Sequence, residues 1–143
     1  MDIDGTIRAN GGVGFAGGSG GGIWLVANKF AFGPNARLSA RGGGSDVEPN
    51  PGRDTKYDYG GGGGGRIALT QRASEADLQT LAETGTLLHL EQHERLDEAA
   101  FEAKWGADII DVRGGAQNRV TQGEDGTFIW YKGTESGLVI FLR

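Results

Sequence analysis

Residues 60–69 read GGGGGGRIAL, a run of six glycines that leads directly into an alternating apolar segment. Glycines have no side chain to bury, and each costs conformational entropy to order, so the run alone would suggest a flexible linker. The same arrangement occurs earlier, however, because residues 17–26 read GGSGGGIWLV. We therefore expect Gly60–Gly65 to be ordered, to lead into a strand and to pack against other glycine segments.

A degenerate repeat surrounds these glycine runs. Residues 6–12 (TIRANGG) resemble residues 37–43 (RLSARGG) and, more weakly, residues 109–115 (IIDVRGG). Each copy is followed, after a loop, by a partner segment at 22–26, 65–69 or 126–131. Alternation of apolar and polar residues ending in glycine predicts short β-strands.

Short strands, glycine-rich corners and loops of unequal length predict an all-β fold, a glycine-rich parallel β-helix (solenoid) of short coils. We expect one domain over residues 1–143. The alternative that fits the same pattern is an antiparallel β-sandwich or jelly roll. Alternation assigns the following side chains to the interior: Ile7, Ala9, Ile23, Leu25, Leu38, Ala40, Ile67, Leu69, Ile110, Val112, Phe128, Trp130, Leu138 and Ile140.

Residues 74–105 have a different character and predict a small two-helix insertion. Ser74 to Asp77 resembles a capping box ahead of a first helix, and Gly85 is its expected end. A short strand over 86–90 is expected next. Asp97 is then the expected N-cap of a second helix, Glu98–Trp105, which ends at Gly106.

Composition limits the classes of partner. The chain has 143 residues, 28 of them glycine, and a net charge of −5, which disfavours nucleic acid or an anionic membrane surface as the main partner. It has no cysteine, so disulfides and thiolate metal sites are excluded. The sequence shows no membrane span and no signal peptide at its start. We expect the chain to be a piece of a longer protein.

Several acidic and aromatic residues are candidate binding groups. Asp2 and Asp4 resemble the opening of a calcium loop, and Ca²⁺ is the cofactor they would bind. The loop over 45–59 offers Asp46 and Asp54 as further acidic groups and Tyr57 and Tyr59 as a surface for stacking on a sugar. His89 and His93 are four residues apart and would share a metal only on a helix. Exposed or capping roles are the ordinary alternative for all of these side chains.

No catalytic motif is present, and we expect the protein not to be an enzyme. Asp108 and Asp111 near Arg113 come nearest to the carboxylate groups of a β-helical lyase or hydrolase. The glycine runs do not fit a phosphate-binding loop, which needs Gly-Lys-Ser/Thr at the start of a helix. Trp24 and Trp130 alternate differently from their apolar neighbours, so one of them is expected to be exposed.

The order of the motifs resembles the glycine-rich β-helical repeat modules of large bacterial secreted or cell-surface proteins. The residues that carry the likeness cover about two thirds of the chain and are Ile7, Ala9, Gly11, Gly12, Gly17–Leu25, Leu38, Ala40, Gly42, Gly43, Gly60–Leu69, Gly126–Lys132 and Gly137–Ile140. The segment 74–105 departs from the pattern. The resemblance implies a secreted or surface location, a scaffold role and no catalytic residue.

Two functional hypotheses follow. The first is a non-enzymatic structural module, a rigid stalk or fibre-forming unit that stacks through open strand edges on adjoining repeat modules or on copies of itself. Its assembly edges would include Ile3, Ile7, Leu138 and Ile140. The second is a carbohydrate-binding or adhesive module that uses the 45–59 loop and takes glycans as partners.

Overall fold

The computed structural model describes residues 1–45, 60–86, 93–116 and 122–133. These residues form nine short strands and two helices. In chain order the elements are β1 (Asp2–Ile3), β2 (Thr6–Arg8), β3 (Gly22–Ala27), β4 (Ala31–Phe32), β5 (Arg37–Ser39), β6 (Arg66–Gln71), α1 (Glu75–Thr84), β7 (His93–Leu96), α2 (Glu98–Trp105), β8 (Ile110–Asp111) and β9 (Thr127–Gly133).

The repeated segments pair with one another in parallel. The three copies of the first motif form the sheet β2-β5-β8, in which Leu38 lies between Ile7 and Ile110. The three partner segments form the parallel part of a second sheet, in the order β3-β6-β9, where Ile67 lies between Ile23 and Phe128. A third sheet contains only β1 and β4. Equivalent positions of the repeat are therefore stacked neighbours.

Glycine-rich segments continue both of the larger sheets and form what we call the glycine bundle. Gly17 and Gly20 donate backbone hydrogen bonds to the carbonyls of Gly60 and Gly63, at 3.1 and 2.9 Å. This three-residue period, with bonds between segments, is that of polyproline II geometry rather than of a strand. The bundle comprises the segments 9–14, 17–22, 40–44, 60–65, 112–116 and 122–126.

The segments of the glycine bundle pack backbone against backbone. A Cβ atom on Gly62 would lie well inside 3.0 Å of the Gly18 carbonyl, and one on Gly115 would collide with the Gly43 carbonyl in the same way. Only glycine permits this approach, as at the crowded axis of collagen. The expectation that Gly60–Gly65 is ordered and packed on other glycine segments is confirmed.

An apolar core lies between the two larger sheets, beside the glycine bundle. Leu38, Ala40 and Leu69 are completely buried, and Trp130 is 3% exposed. The interior positions expected from alternation are buried, or packed against the core in the case of Ile7, Ala9 and Leu25. Leu138 and Ile140 lie outside the described residues.

Both predicted helices are confirmed with their caps. The Ser74 hydroxyl accepts a hydrogen bond from the Asp77 amide while the Asp77 carboxylate accepts one from the Ser74 amide, which makes a complete capping box. Gly85 ends α1 in the left-handed conformation, with φ of 73°. The Asp97 carboxylate accepts from the Ala100 amide at the start of α2. Of the strand expected over 86–90, Thr86 is outside any strand and the other residues are not described.

Helix α2 is anchored in the core by aromatic side chains. Phe101 is completely buried and its ring lies 5.2 Å from that of Phe32 and 5.1 Å from that of Phe128. Trp105 packs edge to face on Trp130, with ring centroids 4.7 Å apart. The helix therefore packs at the last-formed side of the second sheet, next to β9.

Strand β7 completes the second sheet in the opposite direction. It pairs antiparallel with β9, and its Leu96 lies beside Trp130. The sheet order is β3-β6-β9-β7, so one edge belongs to the first repeat and the other is occupied by β7. The largest sheet is mixed.

The predicted parallel β-helix is wrong. The described residues form separate parallel and mixed sheets of short strands with two helices, rather than coils that contribute to continuous parallel sheets. The prediction treated the glycines as corners, whereas they are extended segments that hydrogen-bond to one another. The antiparallel sandwich is wrong as well, since five of the six strand pairings are parallel.

Candidate functional site

The outward face of the sheet β2-β5-β8 forms an open groove of about 700 Å³, which we call the polar groove. Its floor is built by the polar positions of the repeat, because alternation places Ile7, Leu38 and Ile110 in the opposite direction. The side chains that carry its chemistry are Thr6, Arg8, Asn10, Arg37, Ser39, Arg41, Glu98, Glu102, Asp108, Asp111, Arg113 and Asp125.

Hydrogen bonds between adjacent repeats order the centre of the groove. The Ser39 hydroxyl donates to the Asn10 side-chain oxygen at 2.7 Å, and the Arg41 amide donates to that same oxygen at 2.9 Å. Asn10 is thus held as a bridge between the first and second repeats. Its two acceptor bonds fix the direction in which its amide group points.

A fork of hydrogen bonds neutralises the carboxylate on β8. The Arg113 guanidinium donates to both oxygens of Asp111, each at 2.9 Å, and Arg41 Nε lies 3.5 Å from Asp111 Oδ2. The bonds from Arg113 hold the pKa of the Asp111 carboxyl below its usual value, although partial burial acts in the opposite direction. Asp111 therefore stays ionised while its charge is largely satisfied within the protein.

The end of the groove beyond β8 is acidic. Glu98 and Glu102 lie on α2, and Asp108 precedes β8. Burial raises the pKa of Glu98 above its usual value, and the nearby charges of Glu102 and Asp111 raise it further. The four carboxylates Glu98, Glu102, Asp108 and Asp125 outnumber the cations at this end, where Arg113 is already bound to Asp111.

The other end of the groove is basic. Arg8 on β2 and Arg37 on β5 are both exposed, and among the described residues neither forms an ion pair. The guanidinium of Arg37 donates one hydrogen bond, at 2.6 Å, to the carbonyl of Ala36. Charge across the sheet therefore runs from positive at β2 and β5 to negative at β8 and α2.

A second surface is the free side of β3, which we call the open edge. Parallel pairing uses the carbonyls of Gly21 and Ala27 to accept from β6, so the backbone groups of Gly22, Trp24 and Val26 face away from the sheet. This edge is six residues long and contains neither a charged residue nor proline. Trp24 is 46% exposed there, with its indole N–H donating to the Thr70 hydroxyl at 3.1 Å.

The structure separates the predicted site residues. The tyrosines Tyr57 and Tyr59 and the acidic residues Asp46 and Asp54 lie outside the described residues, as do His89, Leu138 and Ile140. Asp2 is exposed on β1, while an oxygen of Asp4 accepts from the Asn35 amide at 2.9 Å. Within the described ranges, no three His, Asp or Glu side chains are close enough to hold a metal ion.

The two predicted assembly residues that are described lie in the strands of the first repeat. Ile3 is buried and pairs with Phe32, and Ile7 pairs with Leu38. His93 lies on a strand, β7, and not on a helix. Trp24 is the exposed tryptophan and Trp130 the buried one.

Sequence reasoning found Asp108, Asp111 and Arg113 but missed Arg8, Arg37 and Arg41 as parts of the same groove. The signal was present in the repeat itself. The second position after each apolar residue is polar in every copy, so aligning the copies would have placed these side chains on one face. The parallel register is what brings them together.

Comparison with protein families, with curated proteins and with solved structures finds no match to this chain. In the described part, neither helix is long and apolar enough to cross a membrane. Functional inference therefore rests on the polar groove and the open edge.

Proposed function

We propose that this chain is a non-enzymatic structural module of an extracellular or cell-surface protein. It docks through the open edge on an adjoining module or on a second copy. The observation that supports this role is the chemistry of β3, whose outward backbone groups are unpaired among the described strands. Soluble proteins usually protect such edges with lysine, proline or a bulge, and β3 has none of the first two.

The two edges of the second sheet differ, and this asymmetry shapes the proposal. At β9 the edge is covered by β7, and α2 packs beside it through Phe101. A filament needs two compatible open edges, whereas an interface on one edge closes after a single partner has bound. We therefore propose a discrete pair or a single docking event at this sheet rather than unlimited growth.

Backbone pairing would supply the affinity and Trp24 the selectivity. A partner strand laid against β3 would satisfy the free amides and carbonyls, as in other cases of strand addition. The exposed indole of Trp24 offers apolar area that the partner would cover. The extracellular location is part of the proposal and is supported by the resemblance of the glycine motifs alone.

The test is a Val26→Pro variant, which removes an amide that faces the partner and spares the ladder to β6. Wild type should show concentration-dependent association in sedimentation velocity, and Val26→Pro should remain monomeric. Val13→Pro is the matched control, because Val13 is 70% exposed at a position away from the open edge. A wild-type chain that stays monomeric at millimolar concentration would contradict self-association.

A further inference from the structure

Arg8 and Arg37 are diagonal neighbours on the outward face of adjacent strands. Thr6 is paired with Arg37 and Arg8 with Ser39, so the two guanidinium groups project from strands about 4.8 Å apart, one step out of line. Both line the polar groove, and neither has an ion-pair partner in the described ranges. Two adjacent, accessible guanidiniums form a natural receptor for one oxyanion.

The remaining cations of the groove are already occupied. Arg113 is bound to both oxygens of Asp111, and Arg41 lies against the same carboxylate. An anionic group that enters the groove therefore meets available positive charge only at Arg8 and Arg37. At the opposite end it would meet the carboxylates of Glu98 and Glu102.

The centre and acidic end of the groove suit neutral hydroxyl groups. A hydroxyl both donates and accepts, so it can donate to Asp125 or Glu102 and accept from Asn10 or Arg113. The matching ligand carries negative charge at one end and hydroxyl groups along the rest of its length. An acidic peptide is a poorer match, because further carboxylates would face Glu98 and Glu102.

We propose that the polar groove binds an acidic oligosaccharide, with a sugar carboxylate held between Arg8 and Arg37. Its neutral hydroxyls lie over Asn10, Asp111 and Arg113. The volume of about 700 Å³ is in the range of ordinary small-ligand sites. This site is distinct from the 45–59 loop and from the open edge, so it does not depend on the association proposed above.

Isothermal titration calorimetry of the full chain tests the site with three probes of matched size: trigalacturonate, neutral galactotriose and a triglutamate peptide. Trigalacturonate should bind, and its affinity should fall as salt is added. The double variant Arg8→Gln/Arg37→Gln should lose about tenfold or more in affinity for each arginine removed. Unchanged thermal unfolding should accompany this loss, because both side chains are exposed.

The matched control is Arg66→Gln/Arg95→Gln, which removes the same charge from exposed positions on the other sheet. It should bind trigalacturonate like the wild type. Equal loss in the control would reduce the effect to overall charge and overturn the proposal. The proposal would also be overturned by a wild type that does not bind trigalacturonate, or by equally tight binding of galactotriose or triglutamate.

Discussion

The amide of Gly62 donates to the carbonyl of Gly43 at 3.0 Å, while the backbone of Gly18 passes directly over the Gly62 Cα. Three glycine segments from three parts of the chain thus meet at one point without any side chain. This contact repeats along the glycine bundle and makes its stability depend on backbone hydrogen bonds and close approach. Substitution by alanine should separate the glycines that touch from those that do not.

We expect Gly62→Ala to lower the free energy of unfolding by about 2–4 kcal/mol, since the new methyl group would overlap backbone that cannot move independently. Gly63→Ala is the control from the same run, because its Cβ would meet only the Glu124 carbonyl at 3.8 Å. It should be neutral or slightly stabilising. Urea denaturation measures both, and equal losses would contradict close packing at Gly62.

Phe101 joins α2 to the core, and Phe101→Ala should cost about 3–5 kcal/mol of unfolding free energy. Its ring contacts aromatic residues from three other elements, which would face a cavity after truncation. Phe15→Ala makes the same chemical change at a side chain that is 67% exposed. Its cost should stay below about 1 kcal/mol. Chemical unfolding that gave similar values for both variants would refute the anchoring role.

The Asp111 carboxyl should contribute stability that depends on pH. Its pKa in the folded protein lies below the model value of 3.8, so its contribution is complete above that value and is lost as pH falls through the folded pKa. Asp111→Asn should therefore have a lower urea midpoint than wild type at pH 7. The difference should shrink below pH 3.8, and a constant difference would argue against the role of ionisation.

Glu98 should show the opposite sign. Its folded pKa is raised above 4.5, so the ionised carboxylate costs stability at neutral pH, although the N-terminal end of α2 offsets part of that cost. Glu98→Gln should raise the urea midpoint at pH 7. The gain should disappear below pH 4.5, where the wild-type side chain is protonated in both states. A lower midpoint at pH 7 would contradict the assignment.

Local features were predictable from sequence because they depend on neighbouring residues. The capping box of Ser74, the caps at Gly85 and Asp97, and the alternation that buries Leu38 and Leu69 are all local. The repeat also predicted which segments would be alike. These elements required no knowledge of the chain path.

The architecture could not be read in the same way, since glycine carries no side-chain pattern. A run such as Gly60–Gly65 has the same sequence whether it forms a corner, a linker or one member of a packed bundle. The reversal of β7 was equally hidden, because a strand of four residues shows no direction. The polar groove depends on the parallel register, which brings residues about 30 and 70 positions apart onto one face.

The glycine bundle also affects how stability should vary with temperature. Unfolding it exposes peptide groups and little hydrocarbon, and exposed peptide groups lower the heat capacity of the unfolded chain whereas exposed hydrocarbon raises it. The heat-capacity increment per residue should therefore fall below the usual 12–15 cal/mol/K for globular proteins, by about as much as the bundle displaces apolar contacts. The curve of stability against temperature should be correspondingly flat, and the fold should resist cold better than a protein of equal size held together by an oily interior.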